Sequence, residues 1–475
     1  MNLRQKTIAG LKWSVISQIA RQATQFTITV ILARLLSPGD FGTIAMVTVF
    51  TNFVSIFSEM GMSGALIQNQ DVNDRHFASA HWLNVFVGLC LSLLLIAASP
   101  FIAAFYNTAI IKPVLMVLSI NFFLSSFVII QQTILTKEMD FKKLAVRDIA
   151  ALFFSGIIGI VLAYHDFGVW SLVWQRIAYT FINVVLLWTL SRWRPSFTFA
   201  SSDIKDIFHV SSNLTAFSFI NYFVRNLDQL LIGKFLGSEA LGFYSLAYKL
   251  MLFPVQNIAS VINGVMFPAF SIIQKDLVKV REVYLKLIKT IALITCPLMA
   301  GLFAVAPEFT SIVYGSKWLQ IVPLIRVLTV CGILQSIGTN VGIIYTSQGR
   351  PEIQLKMAIG NTALSSIAII LGLKWGVYGV TVFYTTYYAI WFHFSHFIAN
   401  KVIDLKYSHF YSSLTIPFLT SFAMLLSMLL VKHFLHFESY AVILCITLAV
   451  GSIIYVLLLV KTRTVSIVNN RVLVN

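Results

Sequence analysis

The sequence predicts an all-α polytopic membrane protein with 14 transmembrane helices: two parallel six-helix repeats forming N and C bundles around a central cavity, and two additional C-terminal helices. Three observations predict it. Apolar stretches of about 20 residues, enough to cross a bilayer as helix, alternate with short polar connectors. Lys and Arg gather in every second connector. The chain also resembles itself when shifted by about 200 residues.

The composition requires lipid as the main solvent. With 58% hydrophobic and 11% charged residues over 475 positions, the chain has too little polar surface for a water-soluble globule. The formal charge of +16 is dispersed among connectors rather than gathered on one face with aromatics. No nucleic-acid partner is therefore expected. The four cysteines fall inside apolar spans without CxxC or metal spacing and read as small buried hydrophobes.

In chain order the spans fall near 11–33, 41–62, 77–104, 113–135, 147–166, 168–190, 206–233, 241–264, 284–305, 321–346, 354–374, 376–399, 410–431 and 438–460. The first contains Gln18, Arg21, Gln22 and Gln25 and lacks a cleavage site, which makes it a retained helix rather than a signal peptide. With the N-terminus inside, 23 Lys and Arg lie in inner segments, 6 in outer connectors and 5 within spans. Both termini are then cytoplasmic.

The repeat aligns Leu32–Ala45 with Ile232–Ser245, setting Arg34 on Lys234, Leu36 on Leu236 and Gly42 on Gly242. A shift of 210 sets Pro113 on Pro323 and Thr136 on Thr346. The expected organisation is 1–200 as the N-terminal six-helix bundle, 201–400 as its repeat, and 401–475 as two further helices. In the stretch Arg34–Gly42, Pro38 and Gly39 are expected to end one helix and Asp40 to cap the next.

The charges inside spans carry the functional reading. Arg21, Arg176, Arg225, Lys249 and Arg326 each cost about 3 kcal/mol at membrane depth unless water, a partner or a ligand compensates. Arg21 lies on a stripe with Ser14, Gln18 and Gln25, and Arg225 on one with Ser218, Asn221 and Asp228; both keep one helical face. The 200-residue shift superposes the stripes, so both point to one wet, cationic cavity suited to an anionic head group. Asp228 is either the ion-pair partner of Arg225 or a coupling site. Asp148 and Glu59, at inner span ends, are interfacial residues or coupling candidates, and Arg326 could reach the interface by extending its side chain.

His393 and His396 lack a third ligand nearby, so no metal is expected. The absence of a P-loop, GxGxxG or GxSxG pattern leaves no cofactor and no ATP-driven step expected within this chain.

Several motifs stand out: Leu3–Trp13 (LRQKTIAGLKW), Leu32-Ala33-Arg34 with Asp40-Phe41-Gly42, and Trp82–Val85, followed by Gly242–Tyr248 (GFYSLAY), Met266–Phe270 and Tyr314–Trp318. Through them the chain resembles a Wzx-type polysaccharide repeat-unit flippase of the polysaccharide transporter family, MOP superfamily, colanic-acid-type branch. The resemblance implies a bacterial inner-membrane transporter, not an enzyme, that moves undecaprenyl-pyrophosphate-linked oligosaccharide by alternating access for exopolysaccharide or lipopolysaccharide biosynthesis. Implied partners are the lipid-linked oligosaccharide, membrane lipids, a polysaccharide polymerase and export machinery. Competing readings are a MATE-like drug antiporter, which calls for an acidic cavity; a polytopic transferase, with Asp71 and Asp74 as its candidate acids; and an assembly scaffold.

Overall fold

The computed structural model describes residues 3–59, 62–68, 72–434, 439–462, 465–468 and 471–474. Side chains of 3–12, 15, 59, 201–221, 223–225, 259–265, 267, 465–468 and 471–474 lie outside this description. The chain divides into two compact units, Met1–Gly242 and Phe243–Asn475.

The first unit opens with α1 (Leu3–Leu35), α2 (Pro38–Glu59), α3 (Met62–Gln68) and α4 (Asp74–Tyr106). α5 (Ile111–Lys137), α6 (Phe141–Tyr164) and α7 (Val169–Leu190) follow, then α8 (Ser201–Pro254), which runs on past the unit boundary. α5 is central, packing on α4, α7, α2 and α3, while α6 joins α1 to α7.

Local chemistry sets the helix starts. Pro38 is the first residue of α2, where its missing N–H and fixed φ cost nothing. Ser37 caps this helix: its Oγ accepts from Asp40 N–H at 3.2 Å, and Asp40 Oδ2 accepts from Ser37 N–H at 2.9 Å. The expected roles are thereby corrected, since Ser37 is the cap, Asp40 its reciprocal partner, and Pro38 starts a helix instead of ending one. Asn73 caps α4 through Arg75 and His76 N–H, and Asp140 caps α6 through Lys143 N–H. Gly237, at φ 86° and ψ −179°, breaks α8, a conformation that favours glycine.

The second unit continues after a π-helical turn, Val255–Ala259, with α9 (Ser260–Ile273), α10 (Leu277–Val313), α11 (Ile321–Gly338) and α12 (Val341–Ser347). It ends with α13 (Pro351–Gly372), α14 (Gly376–Val402), α15 (Tyr407–Phe434), α16 (Tyr440–Lys461) and a hairpin, β1 (Val465–Val468) against β2 (Arg471–Val474). α10 is the hub, packing on α11, α15 and α16, and α14 packs on α11, α12 and α13. The expected span at 321–346 is interrupted at Thr339 and Asn340 between α11 and α12.

Ten segments among the described residues are long and apolar enough to cross a membrane. Their outer faces are apolar: in α16 the buried residues are Thr447 and Gly451, while Ile453, Val456 and Leu457 are exposed. A helix so apolar on its exposed face meets lipid. Small and polar residues sit at the seams instead; Ser92 Oγ donates to Ser119 C=O at 2.8 Å, and Gly88 packs against the α5 backbone. The chain is a multi-pass membrane protein. Cys296 and Cys331 are buried as expected, whereas Cys90 and Cys445 lie on exposed faces, where a thiol is apolar enough for lipid.

Candidate functional site

Within the first unit, α7 carries the polar face that the charges of the sequence led one to seek. Arg176 donates through Nη1 to Thr48 Oγ1 at 3.1 Å and through Nη2 to Asn52 Oδ1 at 3.4 Å, both on α2. Thr48 and Asn52 are one turn apart, so one guanidinium fork bridges two rungs of the same helix face. Tyr222 of α8 donates to Val49 C=O at 2.6 Å and lies within electrostatic reach of Arg176. α2, α7 and α8 thus meet at one arginine.

One turn along α7 stands Tyr179, whose ring packs with the cluster of Ile28, Leu32, Leu36 and Leu152. Arg21 of α1 and Asp148 of α6 are close enough for their charges to act on it. Asp148 pairs with Arg147 at 2.8 Å, and Arg147 Nη1 donates to Gln132 Oε1 of α5 at 3.1 Å. Arg147 is buried, although its position near the start of the span assigned it to an inner connector. A guanidinium there has to be paired, and its neighbours in α5 and α6 supply that.

Arg21, Gln18, Gln25 and Arg176 are all exposed by residue surface area, but the Arg176 guanidinium itself is enclosed by its surroundings and engaged by Thr48 and Asn52. Gln25 Nε2 donates to Thr29 Oγ1 at 3.5 Å on its own helix. Asp228 is 5% exposed, and its Oδ1 accepts from Gln229 N–H at 2.8 Å. The side chains of Arg225, Asn221 and Glu59 lie outside the described residues, and with them the expected Arg225–Asp228 pair.

Lys249 and Arg326 belong to the second unit. Lys249 is exposed. Arg326 is half-buried, its guanidinium 5.7 Å from the Phe303 ring centroid, so it has an aromatic neighbour on α10. His393 Nδ1 is hydrogen-bonded to Tyr411 OH, and His396 is buried with Nδ1 2.8 Å from Phe392 C=O. No group of three or more His, Cys, Asp or Glu able to hold a metal occurs among the described residues.

Sequence reasoning missed Thr48, Asn52, Tyr179 and Tyr222 because uncharged polar residues are unremarkable one at a time. The helical spacing of Thr48 to Asn52 and of Tyr179 to Arg176 was the available signal, whereas Tyr222, on α8, offered none. It also missed a buried pair in the second unit, where Lys432 Nζ lies 2.7 Å from Glu308 Oε1 and 2.8 Å from Ala304 C=O.

A polytopic bundle carrying arginines inside its spans has the layout of a membrane transporter, and the similarity of the chain to known proteins agrees. The chain belongs to the polysaccharide biosynthesis protein family, whose model matches residues 31–323. It is 29% identical to the teichuronic acid biosynthesis protein TuaB of Bacillus subtilis, over 97% of this chain and 96% of that one. It is also 29% identical to the lipopolysaccharide biosynthesis protein WzxC of Escherichia coli, over 89% and 86% of the two chains. Among solved structures, the lipid II flippase MurJ in an inward closed conformation aligns with a TM-score of 0.74 at 17% identity, covering 95% of this chain and 99% of its own. An inward-facing multidrug resistance MATE transporter of the MOP superfamily aligns at 0.62 and 16% identity, over 80% and 95%. The fold of the chain is the one these two structures share.

Proposed function

We propose that the chain flips undecaprenyl-pyrophosphate-linked oligosaccharide repeat units across the bacterial inner membrane, by alternating access, in exopolysaccharide, colanic acid or O-antigen biosynthesis. The observation that carries this reading is Arg176: a guanidinium inside a membrane helix whose two hydrogen bonds go to the uncharged Thr48 and Asn52 rather than to a carboxylate. Its positive charge is positioned but not neutralised by those contacts. A pyrophosphate carries at least two negative charges and accepts bidentate arginine contacts.

Arg21 adds a second cation, one on an exposed residue, and Gln18, Gln25 and Asn221 supply hydrogen-bonding groups for sugar hydroxyls. Arg225, Lys249 and Arg326 extend the cationic lining; Asp228, with Asp148 and Glu59, is the coupling or ion-pair element. The relatives support the class of substrate, since TuaB and WzxC are by name proteins of teichuronic acid and lipopolysaccharide biosynthesis. The wider reading includes 14 membrane passages, both termini cytoplasmic, repeats at 1–200 and 201–400, and a C-terminal pair at 401–475. It also includes a polymerase and export machinery acting after translocation.

The test uses Arg21→Ala, Arg176→Ala and Arg225→Ala in the native host, each inserted at wild-type level. Surface polysaccharide should fall by at least tenfold and lipid-linked oligosaccharide should accumulate, with partial recovery in the Lys variants. Normal export in all three Ala variants would sink the cationic-cavity reading.

A further inference from the structure

α13 and α14 touch backbone to backbone at one end. A Cβ on Gly372 would lie 2.6 Å from Val380 Cα and 2.8 Å from Gly379 C=O, and one on Gly379 would lie 2.5 Å from Gly372 C=O. Away from this crossing a groove of about 740 Å³ lies between the helices, lined by Leu364, Ile367, Leu371, Phe383, Ile390 and Trp391 among others. Tyr387 also lines it, but its hydroxyl is 2.9 Å from Asn361 C=O and 2.8 Å from Asn361 Oδ1, so that polar group is already satisfied. Both helices belong to a segment apolar enough to cross a membrane, which puts the groove among hydrocarbon chains.

The groove has a cation at its closed end. Phe383, part of its lining, stacks on Trp375 with centroids 5.1 Å apart and planes 15° apart. Lys374 Nζ lies 5.7 Å from the centroid of that same Trp375 ring. A ladder of two rings therefore connects a charge in the α13–α14 turn to the apolar cleft. This is the layout of an amphipathic ligand, with an anionic head at the turn and a chain below it.

We propose that this groove binds an anionic phospholipid, with one acyl chain between α13 and α14 and its phosphate at Lys374. The length of the cleft selects this occupant. Its lining runs from Val382 to Phe394 on α14, about 18 Å of helix. One leaflet of a hydrocarbon core about 30 Å thick is about 15 Å deep. An acyl chain of that leaflet fills the cleft, whereas a long polyprenyl chain extends well beyond it. A lipid with net negative charge gains more from Lys374 than a zwitterionic one, whose own cation opposes the contact.

The experiment reconstitutes the full-length protein in nanodiscs of equal phosphatidylglycerol and phosphatidylethanolamine, extracts it in mild detergent, and counts retained lipids by native mass spectrometry. Retained phosphatidylglycerol should exceed phosphatidylethanolamine about fivefold, the ratio expected of one lysine worth about 1 kcal/mol near a membrane surface. Lys374→Gln should bring the ratio near unity, while Lys356→Gln, an exposed lysine of α13 outside the groove, should leave it unchanged. Thr386→Trp and Ile367→Trp, which fill the cleft from α14 and α13, should each remove one retained lipid per protein. Both positions are exposed, so neither substitution displaces packed core. Equal retention in wild type, or enrichment surviving Lys374→Gln, overturns the head-group assignment. Undiminished retention in both Trp variants overturns the groove.

Discussion

Gly42 and Gly242 meet reciprocally through their backbones. A Cβ on Gly42 would lie 1.6 Å from Ser238 C=O and 2.9 Å from Gly242 N, and one on Gly242 would lie 1.9 Å from Pro38 C=O and 3.2 Å from Gly42 N. The 200-residue shift that pairs Gly42 with Gly242 also pairs Pro38 with Ser238, so each contact is the counterpart of the other. Neither backbone can yield as a flexible side chain would. Gly42→Ala and Gly242→Ala are each expected to cost about 1–3 kcal/mol, with reduced polysaccharide export. Gly64→Ala, which would meet nothing within 4 Å, should leave melting in detergent unchanged or slightly higher. Because the two glycines share one contact, the double variant should melt higher than the sum of the single losses predicts.

Asp140 offers a pH-dependent test outside the spans. Its carboxylate accepts from Lys143 N–H at 3.2 Å and pairs with Lys143 Nζ at 2.9 Å. Partial burial pushes its pKa up, but the Lys143 hydrogen bonds and the charges of Lys143 and Lys142 outweigh this and hold it below the ordinary carboxylate value. A folded-state pKa below the unfolded one means the stabilisation is complete above the unfolded value and is lost as pH falls through the folded value. Asp140→Ala should therefore lower stability by about 1 kcal/mol at neutral pH. The wild-type and variant melting curves should converge under strongly acid conditions, and a difference persisting there counts against the cap.

The membrane class and the charged residues worth testing were legible in the sequence because lipid makes each buried charge expensive and hence visible. Arg176 stands out in an apolar span without any knowledge of its neighbours. Arg147 did not, because a position seven residues into α6 reads as connector when the span is drawn late. Glu308 and Lys432 were illegible for a different reason. They are 124 residues apart in sequence, and nothing local to either announces the other. The break of α8 at Gly237 was anticipated as a connector, but its single-residue sharpness was not, because a positive φ leaves no hydropathy signal.

Arg147 is expected to matter more for folding than for substrate. Its side chain is 5% exposed, and it is held by Asp148 and Gln132. Asp148→Asn leaves a buried guanidinium short of its counter-ion and should cost about 3 kcal/mol, read as lower melting temperature and lower membrane abundance. Arg147→Met with Asp148→Asn removes both charges and should recover a large part of that loss. If Asp148→Asn is normally abundant yet inactive, Asp148 acts in coupling instead.

The Glu308–Lys432 pair ties α15 to α10, and its contribution can be separated from those of its members by a double-mutant cycle. Glu308 is 5% exposed, and the Lys432 ammonium also donates to Ala304 C=O, so the cation is held by two acceptors on α10. Removing either partner strands the other. Glu308→Gln and Lys432→Met should each cost about 3 kcal/mol or more, because a buried charge left unpaired bears its full desolvation cost. The double variant should be less destabilised than the sum, giving a coupling energy of about 1–3 kcal/mol. Exchange of the pair, Glu308→Lys with Lys432→Glu, should recover less than the double neutral variant. The swap aims a carboxylate at the Ala304 carbonyl that the ammonium now satisfies, and two acceptors repel. Additive losses in the cycle would mean that the ion pair contributes nothing to holding α15 on α10, leaving the packing of Met424 and Met428 against Ala300 and Ala304 as its anchor.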